Sequence, residues 1–375
     1  MLRIGVIGGG QLARMMQPAA IALGLELKVF AESVGSSAKA AATMVGDYKD
    51  FDELAAFSKT VDVVTFDHEH VPVDLLARLE ANGVSVQPPS SALIHAQNKL
   101  VMRRRIAQLG LPQPSWREIS SAGELDEFIQ EMGDAVIVKT PIGGYDGKGV
   151  RVVETSADVA DWLSDLPNYG GSLLAEQKVN FVRELAQLSA RRPSGEFRAW
   201  PLVQTVQAGG VCSEVIAPAP QPADLSGAEQ IARAVAEGLG VTGVLAVEMF
   251  EDVSGNLLIN ELAMRPHNSG HFSIDAARTS QFEQHLRAVL DLPLGETDMI
   301  APIAVMINLL GVDQANDFVS HYQAAMKQFP QAKFHSYQKG PRQGRKMGHI
   351  TVMGTDLAEL LTMGQSARDM LYRGA

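Results

Sequence analysis

Residues 2–7 form a short apolar run that breaks on three consecutive glycines, Gly8, Gly9 and Gly10, and residues 11–23 then take up the spacing of an amphipathic helix. A strand this short, followed at once by a tight turn and a helix, leaves few folds open. The pattern recurs. An apolar run at 25–30 ends in Ala31 and Glu32, and a third at 61–66 ends in the polar cluster Asp67, His68, Glu69 and His70. Short buried strands alternating with helices predict a parallel α/β sheet. Ligands on such sheets sit beyond the carboxyl ends of the strands, where the three glycines and the cluster at 67–70 both fall. Pro88 and Pro89 mark the exit from this first unit, which we set at residues 1–97.

A helical stretch at 98–109 leads into LPQPSW, whose prolines forbid its continuation. Residues 135–139 and 150–153 read as a hairpin with a glycine-rich tip, and 173–179 and 181–191 as further strands, so this part is α+β rather than doubly wound. We divide it at 98–180 and 181–375. The chain's 375 residues suffice for two or three such units. A net charge of −11 argues against a general polyanion-binding surface, so no nucleic-acid partner is expected and any phosphate site must be local. Cys212 stands alone and cannot form an internal disulfide, the sequence opens on MLRIGVIGGG without a leader pattern, and no apolar run reaches the roughly 20 residues of a membrane span. The expectation is a cytoplasmic protein with no membrane partner.

Gly8, Gly10 and Ala13 satisfy G-x-G-x-x-A after a strand, and Glu32 lies where a ribose-binding acid would in a dinucleotide fold. That spacing supports an NAD-dependent oxidoreductase. Its physical content is broader, because glycines and a helix N-terminus accommodate any anion, and Gln11 favours a small phosphorylated ligand. The second glycine loop, GGYDGKG at 143–149, places four glycines in seven residues of a hairpin tip, as a mobile phosphate cover requires. It is not a Walker A loop, since no Gly-Lys-Ser/Thr opens a helix. Lys139, on the strand before it, and Lys99 can supply the cations of a phosphate cage.

Two apolar runs at 244–250 and 257–262 flank the turn-forming EDVSGN and predict an antiparallel hairpin. With the turn centred between Ser254 and Gly255, partners' numbers sum to 509, a condition that Glu248 and Glu261 meet. Their Cβ atoms should then lie ~4.5–5.5 Å apart. Facing acids repel one another and call for a cation, and Mg²⁺ shared with nucleotide phosphates fits. Arg265, His267, Asn268, Ser269 and His271 follow within seven residues of irregular chain, a cluster able to bind an oxyanion and move a proton.

Together, GVIGGGQLARM, GGYDGKG, AEQKV, INELAMRPHNSGH and GRKMGH resemble the ATP-grasp superfamily and, within it, the N5-carboxyaminoimidazole ribonucleotide synthetase family of purine biosynthesis. The resemblance implies an ATP-grasp fold with an N-terminal Rossmann-like preATP-grasp domain, a lid and a C-terminal catalytic portion. It implies an ATP-dependent carbon–nitrogen ligase that carboxylates 5-aminoimidazole ribonucleotide with bicarbonate through carboxyphosphate, using ATP and Mg²⁺, as a homodimer. By the same resemblance Lys99, Lys139, Gly144, Tyr145, Asp146, Gly147, Lys148, Gly149 and Val150 surround the ATP phosphates. Glu176, Gln177, Lys178 and Val179 form the strand that reads adenine, Glu184 binds ribose, and Asn260 adjoins the metal ligands Glu248 and Glu261. Tyr145, Asp146, Lys148, Arg265 and His271 match groups around the reacting carboxyl, with His271 or Asp146 for proton transfer. Gly10, Gln11, Glu69, Asn268, Ser269, Lys339, Arg345 and Lys346 match the ribonucleotide site, with Arg342 in the same basic stretch and Asp67 facing the same ligand. Lys148 stands where the family often has arginine, Gln343 where it has proline, and Gln207 where it has histidine. The residues alone leave open the NAD-dependent reading and that of a non-catalytic ATP-sensing protein.

Overall fold

The computed structural model describes residues 1–144, 149–221, 224–312, 318–340 and 342–373. Tyr145, Asp146, Gly147 and Lys148 lie outside the described residues.

Strands β1 (Arg3–Ile7), β2 (Glu26–Ala31), β3 (Ala42–Val45) and β4 (Val63–Phe66) form a parallel sheet in the order β3-β2-β1-β4. Alternation in β1 sends Ile4 and Val6 to one face, where Leu12, Ala13 and Met16 of the helix Gln11–Ala22 meet Phe282, Leu286 and Val289 of the helix Gln281–Val289. Ile7 turns the other way, onto Phe30, Phe57, Val64 and Phe66. The order reverses at β1, so the segments following β1 and β4 lie side by side. The edge strand β3 escaped the sequence reading because its burial alternates and no continuous apolar run marks it.

A second sheet is antiparallel: β5 (Trp116–Ile119), β6 (Val136–Lys139), β7 (Val150–Val153) and β8 (Leu173–Gln177), ordered β5-β8-β6-β7. The expected hairpin is β6–β7, with Lys139 opposite Val150 and the glycine loop at its tip. Strand β8 stops at Gln177, two residues short of the expected end. Asn98 accepts the N–H groups of Leu100 and Val101, which fixes the start of the helix Lys99–Gln108 and sets Lys99 at its first position.

The third sheet holds nine strands: β9 (Phe181–Arg191), β10 (Phe197–Ala199), β11 (Val203–Ala208), β12 (Val211–Ala217), β13 (Gly243–Asp252), β14 (Leu257–Ala263), β15 (Ile303–Leu310), β16 (Lys333–Ser336) and β17 (Lys346–Gly354). The path is β14-β13-β9-β11-β12-β15-β17-β16, with β10 on β9. The β12–β15 pairing joins the C-terminal strands to those of the glutamate hairpin.

Candidate active site

At the first glycine loop the glycines are demanded by protein neighbours. A Cβ on Gly10 would lie 1.9 Å from Asp67 Oδ2, and Gly8 has φ +104°, which L side chains rarely adopt. Gly10 has no side chain to cap the following helix, so Asp67, from the end of β4, accepts the Ala13 N–H at 2.7 Å instead. Burial pushes the Asp67 carboxyl above its ordinary range, with the Ala13 N–H opposing. Glu32 accepts the Gly9 N–H and bonds His68 Nε2, each at 2.9 Å. Although burial opposes it, these partners hold Glu32 down at about 2. The acid expected to hold a dinucleotide ribose is therefore spent on the loop itself, which removes the main support for the NAD-dependent reading.

The C-terminal basic stretch reaches the same place. Lys339 donates to Gln11 Oε1, and Arg14 donates to Ser336 O at 3.1 Å and Gln338 Oε1 at 3.0 Å. The turn carrying Arg342 and Arg345 is closed on Gly311, whose N–H donates to Arg345 O at 2.7 Å while its carbonyl accepts from Gly344 at 2.9 Å. These bonds anchor the turn although Gln343 replaces proline.

The nucleotide end forms where the second and third sheets meet. Glu248 and Glu261 are cross-strand partners, as expected, but by a different route. Nearer the turn the pairs are Met249–Ile259, Phe250–Leu258 and Glu251–Leu257, a register one residue lower, and a β-bulge restores the pairing at the glutamates. The extra residue is Asn260. Lys139 donates to Asn260 Oδ1 at 3.0 Å and lies 3.9 Å from Glu261 Oε1, while Lys99 lies 3.8 Å from that same oxygen. Consecutive side chains thus approach the same lysine, Lys139, where a regular strand would send them to opposite faces. Lys99 also donates to Gly144 O at 3.5 Å, and Thr140 N–H to Gly149 O at 2.9 Å, which places both ends of the glycine loop beside the cations. Val150 follows as the first residue of β7.

Burial, then the facing Glu261, then Glu184 push the Glu248 carboxyl up to about 7. His267 Nε2 lies 3.3 Å from Glu248 Oε1, and its Nδ1 bonds Ser269 Oγ at 2.9 Å. Burial, with Arg265 and Lys346 nearby, lowers the imidazole's pKa well below its ordinary value and keeps it neutral. Arg265 Nε donates to Glu69 Oε2 at 3.0 Å, and Glu69 Oε1 accepts the Met264 N–H at 2.8 Å. This pair joins the cluster after β4 to the loop after β14.

Other expectations are redirected. His271 has no exposed surface, and its Nδ1 bonds the Gln281 amide at 2.8 Å. The ring, expected to move a proton, is walled in by Phe282, Tyr337 and His349, and its Nε2 has no hydrogen-bond partner among the described residues. Asn268 exchanges amide bonds with Asn308 at 2.7 and 3.0 Å, and the buried Ser269 serves His267, so both support the loop from behind. Glu176 points inward, with Arg103 Nε at 2.5 Å and Lys139 Nζ at 2.8 Å, and Gln177 and Lys178 are exposed. Burial raises the pKa of Glu184, with the Gln207 amide opposing. Sequence reasoning missed Arg103. The available signal is helical spacing, since it shares a buried face with Leu100 and Ile106. Asp275, His335 and His349 also gather, but the two imidazoles stack at 13°, so no ion lies in both ring planes.

Residues 1–97 match the ribonucleotide synthetase preATP-grasp domain, 104–282 the ATP-grasp domain, and 304–363 the phosphoribosylaminoimidazole carboxylase C-terminal domain. The N5-carboxyaminoimidazole ribonucleotide synthase of Mycobacterium tuberculosis is 47% identical over 380 residues, covering 99% of this chain and 88% of that protein. The crystal structure of N5-carboxyaminoimidazole ribonucleotide synthetase from Thermus thermophilus superposes with a TM-score of 0.86 at 36% identity, covering 98% of each chain. That of the Aspergillus clavatus enzyme in complex with ADP and 5-aminoimidazole ribonucleotide gives a TM-score of 0.89 at 31% identity, covering 99% of each. With its three domains matched in order and its two lysines set against the bulged glutamate strand, the chain belongs to the N5-carboxyaminoimidazole ribonucleotide synthase family of ATP-grasp ligases.

Proposed function

We propose that this protein catalyses the ATP-dependent carboxylation of 5-aminoimidazole ribonucleotide by bicarbonate, giving N5-carboxyaminoimidazole ribonucleotide, ADP and phosphate in de novo purine biosynthesis. The observation that carries the reading is the convergence of Lys99 and Lys139 on Glu261, with Lys139 also on Asn260, together with Lys339 on Gln11 at the first glycine loop.

Bicarbonate is a poor electrophile, and transfer of the ATP γ-phosphoryl group to its oxygen makes phosphate the leaving group. Lys99 and Lys139 bind the phosphates. Glu176 and Asn260 take two of the three donors of the Lys139 ammonium, leaving one for a phosphate oxygen. Glu248 and Glu261 would hold Mg²⁺. Burial first, and then their mutual repulsion, raise Glu248 to about 7, and a divalent cation would relieve the repulsion. When bound, the ion supplies positive charge to the nucleotide phosphates. Arg265, its fork oriented by Glu69, holds the carboxylate oxygens while the exocyclic amine attacks the carboxyl carbon and phosphate departs. With His271 buried, Asp146 on the glycine loop remains to take the amine proton. Gln11, Lys339 and Arg345 hold the ribonucleotide.

We place the protein in the cytoplasm, on its single cysteine, Cys212, and infer a homodimer by resemblance to the family; no helix among the described residues is long and apolar enough to cross a membrane. The test is ADP release from purified protein, with ribonucleotide and bicarbonate omitted in turn. Turnover should require both, and turnover indifferent to both would overturn the assignment.

A further inference from the structure

Arg103, on the helix Lys99–Gln108, has a fully buried side chain. A buried guanidinium is tolerated only when its donors are used, and its fork serves two consecutive carbonyls of β14: Nη1 donates to Ile259 O at 2.7 Å and Nη2 to Asn260 O at 2.9 Å. Because β14 is the edge of the nine-stranded sheet, the Ile259 carbonyl, like the Ile259 N–H that donates to Pro112 O, faces no neighbouring strand, and the bulge turns the Asn260 carbonyl toward the same arginine. Nε donates to Glu176 Oε1 at 2.5 Å, Glu176 Oε2 accepts from Lys139 at 2.8 Å, and Lys139 donates onward to Asn260 Oδ1 at 3.0 Å. The path closes on itself. It leaves Asn260 by the main-chain carbonyl and returns through its side-chain amide.

Asn260 is also the residue that the bulge inserts. Were the register near the turn to continue, Glu248 would face Asn260, and Glu261 would turn to the other side of the sheet. We propose that Arg103 is a positioning residue for the magnesium site: by clamping the carbonyls of Ile259 and Asn260 it holds the bulge that keeps Glu261 opposite Glu248. The inference rests on the reading of these two glutamates as magnesium ligands. Arginine suits the task because its planar fork meets two acceptors while a third donor reaches Glu176, whereas lysine keeps the charge and loses the fork.

The test compares wild type with Arg103→Lys and Arg103→Gln, using calorimetric titration of Mg²⁺ into protein saturated with a non-hydrolysable ATP analogue, together with amide hydrogen exchange. Arg103→Lys should weaken Mg²⁺ binding about 10-fold or more, as loss of a support behind metal ligands does. Analogue affinity without Mg²⁺ should stay within about twofold, and exchange at Glu261 should accelerate. Lowered thermal stability with unchanged Mg²⁺ affinity in the folded variants would overturn the proposal. If neither variant folds, the wild type decides: without nucleotide or Mg²⁺, the Glu261 amide should exchange as slowly as those of β13, and rapid exchange confined to it would overturn the proposal. Failure of the wild type to bind Mg²⁺ with the analogue would instead sink the magnesium reading, whereas unaltered Mg²⁺ affinity and exchange in Arg103→Lys would sink only the role of Arg103.

Discussion

Replacing Glu261 with glutamine should change how stability responds to pH before any nucleotide is added. Glu248 has an ordinary value of 4.5 and is raised to about 7 by burial first, then by Glu261 and Glu184. Between these values the folded protein holds a proton that the unfolded chain has released, so wild-type stability falls as pH rises from 4.5 to 7. The full shift corresponds to about 3 kcal/mol at about 1.4 kcal/mol per unit. The side chain is 34% exposed, and screening by water reduces the effect to about 1–2 kcal/mol. Glu261→Gln relieves the second cause and leaves burial, so roughly 1 kcal/mol of the alkaline loss should disappear. Urea unfolding of nucleotide-free protein in a chelator, at pH 5 and at pH 8, measures it. The variant should gain relative to wild type by that amount between the two pH values, and added Mg²⁺ should stabilise wild type more at pH 8 than at pH 5. Parallel wild-type and variant profiles would refute the electrostatic argument.

Lys139→Met leaves the 4%-exposed Glu176 with Arg103 alone, so the urea midpoint should fall by the equivalent of about 3 kcal/mol and nucleotide titration should show little binding. Because Lys139 and Arg103, against burial, lower the pKa of Glu176, that destabilisation should fade as pH drops below 4.5; a cost independent of pH would contradict the buried-pair reading. Gly10→Ala puts a methyl where Asp67 Oδ2 now sits and displaces the cap on Ala13, costing about 1–2 kcal/mol in thermal unfolding. It should raise KM for the ribonucleotide with KM for ATP unchanged, and equal changes in both would argue against a substrate role for this loop.

The glutamate hairpin separates what its sequence discloses from what it conceals. EDVSGN is short, and Asp252 ties it by accepting the Ser254 and Asn256 N–H groups, so the hairpin was legible from local turn chemistry, whereas the register that the turn sets would by itself place Glu248 opposite Asn260. The bulge was not legible. It depends on Arg103, 156 residues earlier than Ile259, and side-chain spacing within β14 carries no trace of that partner. The enclosure of His271 was hidden for a similar reason. Its loop has the composition of a reactive segment, yet Tyr337 and His349 of the C-terminal region close over the ring. The continuity of the third sheet was hidden too, because β12 and β15 are separated by the hairpin, the loop and three α-helices.

The first glycine loop carries the broader consequence. A helix N-terminus after a glycine turn attracts an anion, which makes the motif suggest a bound phosphate. Here two of the local N–H groups, on Gly9 and Ala13, are already given to Glu32 and Asp67, acids that the protein brings from the ends of β2 and β4. The Glu32 carboxylate, held down at about 2, repels a phosphate at that point, so on the proposed reading the ribonucleotide's phosphate must be held by cations from elsewhere. Lys339 on Gln11, with Arg345 on the turn anchored to Gly311, supplies them from the C-terminal part of the chain. The N-terminal sheet would then grip the sugar and base side of its ligand while the C-terminal stretch neutralises the phosphate. This division accounts for an acidic chain concentrating Lys339, Arg342, Arg345 and Lys346 within eight residues.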